Sequence, residues 1–92
     1  MNTIPSTIGV NELNDTDFEL APNPTADRIK LSGFEEPIIG YTVIDISGKV
    51  VRNSIGMFGH TLKIELSDLP QETYLVKVQS EKGVGVKRFV KL

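Results

Sequence analysis

The sequence predicts an all-β domain built as an antiparallel sandwich, and three observations predict it. From Phe18 onward, short segments rich in Val, Ile, Leu, Thr and Tyr recur, parted by Pro, Gly, Asn, Asp and Ser; their spacing of roughly eight to twelve residues is that of sandwiches and barrels. Several of these segments alternate apolar with polar residues at period two, and no window carries a helical stripe of apolar residues. The corner Pro22-Asn23-Pro24 is rigid, because each proline fixes its own φ and pushes the preceding residue into extended backbone. A strand entering such a corner is expected to cross to a second sheet instead of folding back as a hairpin.

Seven strands are expected in order: Asp17–Leu20, Arg28–Ser32, Ile38–Ile46, Lys49–Ile55, Thr61–Leu66, Thr73–Ser80 and Val84–Lys91. The first begins where a turn-rich leader gives way to Phe18. In the second, Ile29 and Leu31 alternate with Arg28 and Lys30. The third holds apolar residues at both parities (Tyr41, Val43, Ile44, Ile46), as a central strand covered on both faces or bent by a bulge near Gly40 would. The fourth follows Ser47-Gly48, where Gly is expected to supply the positive φ of a two-residue primed turn. In the fifth, Leu62, Ile64 and Leu66 oppose Lys63 and Glu65; in the sixth, Tyr74, Val76 and Val78 oppose Lys77 and Gln79, with Leu75 out of pattern. Lys82-Gly83 is expected to turn the chain as Ser47-Gly48 does, into a seventh strand that alternates charge with bulk through Leu92. A chain stopping inside a strand has its terminus fixed on a folded surface, where a partner can take it as an address.

Residues 1–16 are expected to be a tether from an upstream segment, and residues 17–92 the folded domain. Asn2, Thr3, Pro5, Ser6, Thr7, Gly9, Asn11, Asn14 and Asp15 favour turns and extended chain, with Ile4, Ile8, Val10 and Leu13 as scattered apolar residues. No segment there has the basic start, apolar stretch and cleavage site of a secretory signal. Ninety-two residues make one small domain with 39% hydrophobic and 24% charged content, a composition that holds a modest core and contains no apolar run long enough to span a bilayer. The absence of cysteine excludes disulfides, thiol nucleophiles and Cys-ligated zinc.

The net charge is -2, unevenly spread: residues 1–36 hold seven acids and two bases, residues 77–92 five bases and one acid. So few bases on an acidic domain argue against nucleic-acid binding. Two readings of the basic stretch stand: solvated faces of edge strands, which discourage edge-to-edge association, or a docking face. Catalysis has no constellation to work with. His60 is the sole histidine and cannot serve Ser47, Ser67 and Ser80 at once, while Ser67 and Asp68 fit side-chain-to-backbone turn chemistry. Glu12, Asp15, Asp17 and Glu19 lack the loop glycine and spacing of a calcium site, and Gly83 and Gly85 precede no helix that could cradle phosphate. No metal, cofactor or small-molecule substrate is expected.

Four blocks in register carry a resemblance: Ala21-Pro22-Asn23-Pro24-Thr25-Ala26-Asp27; Val43-Ile44-Asp45-Ile46-Ser47-Gly48-Lys49-Val50-Val51; Leu66-Ser67-Asp68-Leu69-Pro70 with Tyr74-Leu75-Val76-Lys77-Val78; and Arg88-Phe89-Val90-Lys91. Over residues 18–92 the chain resembles the type A C-terminal sorting domain of cargo of the type IX secretion system. The resemblance implies a seven-stranded immunoglobulin-like sandwich ending a larger exported protein. It implies passage through the periplasm, recognition by the outer-membrane translocon, and cutting by a sortase-like peptidase, here within or beside residues 1–16. It further implies that the cargo is left on the cell surface, usually joined to an anionic lipopolysaccharide, or released.

Two positions depart from the family pattern: Glu72 stands where a Gly is common, and Ile44 replaces an aromatic. A Glu forced to positive φ would cost about 1 kcal/mol.

Lys87, Arg88, Phe89, Val90, Lys91 and Leu92 are the expected recognition residues, by strand addition or charge-assisted docking. Phe89 is either core or anchor. Pro22, Asn23, Pro24, Asp45, Gly48, Leu69, Pro70 and Tyr74 are expected to be structural, Tyr74 as a corner tyrosine or a plain core aromatic. An adhesion or carbohydrate-binding sandwich is the competing reading, weakened by the lack of Trp and the scarcity of exposed aromatics for stacking on sugar rings.

Overall fold

The computed structural model describes Leu13 and residues 17–92. The expected tether, Leu13 apart, therefore lies outside the described residues. Seven strands form, with no α-helix among the described residues: β1 (Glu19–Ala21), β2 (Arg28–Ser32), β3 (Ile38–Ile44), β4 (Val50–Ile55), β5 (Leu62–Glu65), β6 (Glu72–Ser80) and β7 (Val84–Lys91). Every strand pair is antiparallel, and the strands sort into two sheets, β1-β2-β5 and β4-β3-β6-β7. This two-sheet, seven-strand arrangement is consistent with an immunoglobulin-like sandwich.

Period-two alternation builds the core. Ile29 and Leu31 of β2, Leu62 and Ile64 of β5, Val43 of β3, Tyr74, Val76 and Val78 of β6, and Phe89 of β7 join one buried cluster with Phe18, Phe34, Ile38 and Leu66. Phe18 stacks on Phe34 with centroids 4.7 Å apart, and Tyr74 on Phe89 at 5.6 Å. β3 lies between β4 and β6, and the bulge near Gly40 accounts for its double parity, since Ile38 and Val43, at opposite parities, are both buried. Its pairing with β6 takes up an extra β3 residue between Ile38 and Gly40, and its pairing with β4 takes up an extra β4 residue, Val51, opposite the step from Val43 to Ile44.

Three expectations need correction. β1 does not cross to the other sheet. It folds back to pair with β2, Leu20 opposite Leu31, because the loop through residues 22–27 is long enough to leave and return. On its way the loop bonds to the other sheet along β7, through a parallel bridge between Thr25 and Lys91 and through the Asn23 side chain. The Ala21–Pro22 and Asn23–Pro24 peptide bonds are cis.

The β3–β4 turn is not a primed turn. The Gly48 N–H donates to the Asp45 carbonyl at 3.0 Å and the Asp45 N–H to the Lys49 carbonyl at 2.9 Å. Positive φ falls on Gly48 alone within that loop, at 90°, which is the pattern of a three-residue loop closed by a glycine bulge. The β6–β7 hairpin is a two-residue turn at Glu81-Lys82, its ends exchanging bonds between Ser80 and Gly83, and positive φ does not fall on Gly83. Glu72 adopts no left-handed backbone either. It opens β6 opposite Lys91, so the cost of positive φ does not arise.

Candidate functional site

The family-motif residues are positioned by hydrogen bonds. Tyr74 is both a corner tyrosine and a core aromatic: it is 1% exposed and its hydroxyl donates to the Pro70 carbonyl at 2.7 Å. Burial, reinforced by the charge of Glu72, pushes the Tyr74 phenol above its ordinary value of 10.0. The Asp45 carboxylate organises its turn, accepting from the Ser47 N–H at 2.9 Å, the Ser47 hydroxyl at 2.7 Å and the Lys49 N–H at 3.0 Å. Those bonds, the Ser47 hydroxyl first, lower its pKa. Asp68 does not act through backbone turn bonds; its carboxylate instead pairs with Arg52. The neighbouring turn is closed by the Leu69 N–H donating to Leu66, 2.9 Å away.

Asn23 does what neither proline beside it can. Its Nδ2 donates to the Arg88 carbonyl at 3.4 Å, and its Oδ1 accepts from the Val90 N–H at 2.9 Å. Two residues on, the Thr25 N–H donates to the Val90 carbonyl at 2.9 Å and the Leu92 N–H to the Thr25 carbonyl at 2.8 Å. The Pro-Asn-Pro segment therefore clamps the free edge of β7.

The C-terminal stretch is divided by strand alternation. Phe89 is fully buried and Lys91 is 5% exposed, so neither offers its side chain to a partner. Arg88, Val90 and Leu92 face solvent. The five bases of residues 77–92 do not form one basic patch. Lys82 is engaged by Glu35, whose hydrogen bond raises the Lys82 pKa. The Lys87 ammonium lies 4.9 Å from the centroid of the Phe18 ring, and the Lys91 Nζ donates to the Leu92 carbonyl at 2.9 Å. Lys77 and Arg88 remain outward-facing with no ion pair to a described residue.

Those two cations sit in an apolar setting that the sequence signalled only through the misfit of Leu75. On the outer face of the four-stranded sheet, Val50 opposes Ile44, Ile44 opposes Leu75, and Leu75 opposes Arg88; Lys77 opposes Val86 in the next row. Leu75 is 41% exposed and Val86 49%. A groove of about 580 Å³ borders this corner, lined by Leu20, Asn23, Leu75, Val86, Lys87 and Arg88. Val86, Leu75 and Lys77 fall outside the expected recognition set. Among the described residues no three His, Cys, Asp or Glu side chains converge to hold a metal ion, and Glu12 and Asp15 lie outside the described residues. His60 is an exposed turn residue whose Nδ1 lies 2.9 Å from the Phe34 carbonyl.

What the molecule presents is a braced sheet edge and a mixed apolar and basic face, the equipment of a recognition domain. The chain belongs to the family described as secretion system C-terminal sorting domain, whose model matches residues 19–92. A search of curated proteins returned no match. Members of this family are the sorting signals of type IX secretion cargo, so the domain is part of a larger cargo protein and engages the type IX machinery. It directs export through the periplasm to the cell surface or the extracellular space. The family is one of sorting signals and not a known enzyme family, and the adhesion and carbohydrate-binding alternative is not favoured.

Proposed function

We propose that residues 17–92 act as a folded address read through the outward side chains of β7, and that residues 1–16 form the tether in which a sortase-like peptidase separates cargo from signal. The observation that carries this reading is the split within the C-terminal stretch. Phe89 and Lys91 anchor β7 in the core, while Arg88, Val90 and Leu92 stand exposed on a strand whose position is over-determined by β6, Asn23 and Thr25. A rigid edge strand lets a translocon component dock without ordering a loose tail, which lowers the entropic cost of recognition. The composition of residues 1–16, rich in Asn, Thr, Pro and Gly, suits protease access.

The experiment is a fusion of residues 11–92 to a neutral reporter carrying an inner-membrane export signal, expressed in a bacterium with this secretion system. Surface delivery is expected, with loss of delivery when residues 88–92 are removed. Periplasmic retention of the intact fusion contradicts the proposal. Changing Lys87 and Arg88 to Gln, with the buried Lys91 kept, separates charge docking from strand pairing: charge docking requires delivery to fall, strand pairing requires it to persist.

A further inference from the structure

The outer face of the four-stranded sheet leaves apolar side chains in contact with solvent, and register puts them in a line. A stripe crosses all four strands, from Val86 of β7 through Leu75 of β6 and Ile44 of β3 to Val50 of β4. Val86, Leu75 and Val50 are all exposed. Ile44 opposes both Leu75 and Val50, so the stripe runs straight across β6, β3 and β4. Between β7 and β6 it follows one diagonal of a two-by-two block. Arg88 and Lys77 hold the other diagonal, one cation on each side of the stripe. Neither has an ion pair to a described residue, and no outward strand position of this sheet carries Asp or Glu.

We infer that this face docks an amphipathic helix of a partner protein, laid across the strands, whose apolar stripe is bordered on both sides by Asp or Glu. The inference rests on the proposed reading of β7 as the strand that the secretion machinery contacts, and it names the chemistry of what contacts it. Charge complementarity selects acids, and the placing of Arg88 and Lys77 on opposite sides of the stripe selects one acid on each border. Spacing selects a helix. Strands lie about 4.8 Å apart and a helix advances about 5.4 Å per turn, so a helix crossing the sheet sets roughly one apolar side chain on each strand. A partner strand turns successive side chains to opposite faces, whereas a helix sets acids beside apolar residues on one face. An anionic lipid surface is held by clusters of roughly four to eight basic residues, more than Lys77 and Arg88 supply.

The test uses the whole chain, 15N-labelled, titrated with a helical peptide of about twenty residues. The peptide carries Leu at helical spacing with Glu on both borders of the Leu stripe, and a second peptide carries Lys in place of Glu. Saturable shifts at the Ile44, Leu75, Lys77 and Val86 amides are expected with the Glu peptide and not with the Lys peptide. Leu75→Ser is expected to weaken binding about tenfold. Lys77→Glu combined with Arg88→Glu is expected to reverse the preference between the peptides, with an effect that fades as salt is raised. Equal binding of the two peptides by the parent chain, or shifts confined to β2 and β5, overturns the inference, and neither outcome needs a variant to fold. If the Glu peptide leaves these amides unmoved while phosphatidylglycerol vesicles or a rising concentration of the chain itself shifts them, a lipid surface or a second copy takes the face and the inference fails. Surface delivery keeps this apart from the proposed function, because Leu75→Ser with Lys77→Glu leaves residues 88–92 intact. If removing residues 88–92 abolishes delivery while that double variant, shown folded by its melting curve, delivers normally, the helix-docking inference fails and β7 remains the address. If removing residues 88–92 leaves delivery intact, the address itself fails, and the peptide titration still decides the inference.

Discussion

The two open edges of the sandwich are closed by different means. On the β1/β7 side, main chain and a main-chain mimic do the work: Leu13, Asn23 and Thr25 take up outward groups of β7 in register, and Phe18 packs beneath the strand. On the β4/β5 side a single long side chain spans the gap. Arg52 pairs with Asp68 and donates from Nε to the Glu65 carbonyl at 3.4 Å, while Val50 and Ile55 of β4 stay exposed. A backbone closure fixes register and satisfies polar groups together; a side-chain closure ties two sheets but leaves the edge strand unlined. The edge proposed to carry the address is the one closed by main chain, and the opposite edge is left to a side chain.

Cutting away Phe18 is expected to damage the braced edge most. Its ring is 2% exposed, and Phe18→Ala should cost about 3–5 kcal/mol, measured as a shift in the urea midpoint. The same contact tested from the other side is Gly85, where an added Cβ would run into the Phe18 ring, so Gly85→Ala should also destabilise, by about 1–3 kcal/mol.

Tyr74→Phe leaves the Pro70 carbonyl without its donor and should cost about 1–2 kcal/mol. Because burial raises the phenol pKa, the folded state keeps a proton that the unfolded chain releases above about 10. The stability from this group is therefore full below that pH and is lost as pH rises through the folded value. The variant should show a shallower alkaline fall in melting temperature than the parent.

Asn23→Ala frees the Arg88 carbonyl and the Val90 N–H and should cost about 1 kcal/mol. Hydrogen exchange at Val90 should quicken, with little change along β4. The smallest effect is expected on the loosely tied side: Arg52→Met opens an ion pair whose Asp68 side chain is 72% exposed. It should cost about 0.5–1 kcal/mol and leave β7 exchange unchanged. A β4-side variant that loosened β7 as much as Asn23→Ala would erase the contrast between the edges.

Strand positions were legible in the sequence because alternation is a local signal: Ile29 and Leu31, Leu62 and Ile64, and Tyr74, Val76 and Val78 all face inward as their spacing requires. The bulge of β3 near Gly40 was legible in its double parity. Turn type was not, since a Gly beside a hairpin marks positive φ without saying which residue takes it, and Gly48 takes it while Gly83 does not. The clamp of Asn23 on β7 was hidden because it joins residues 65 and 67 positions apart, beyond any local pattern, while the return of β1 to β2, Leu20 opposite Leu31, was masked by the rigid Pro-Asn-Pro corner between them. In the stretch proposed for recognition, the sequence left Phe89 as core or anchor and counted Lys91 among the exposed residues, and the structure buries both. That Leu75 and Val86 share an exposed block with Lys77 and Arg88 emerged only from the register.

The most direct test of the account is surface delivery of a reporter fused to the domain carrying Arg88→Glu and Val90→Ser, two outward changes that touch no core residue. With the melting temperature confirmed to match the parent, the account predicts that the reporter stays in the periplasm. Normal arrival at the cell surface would contradict it.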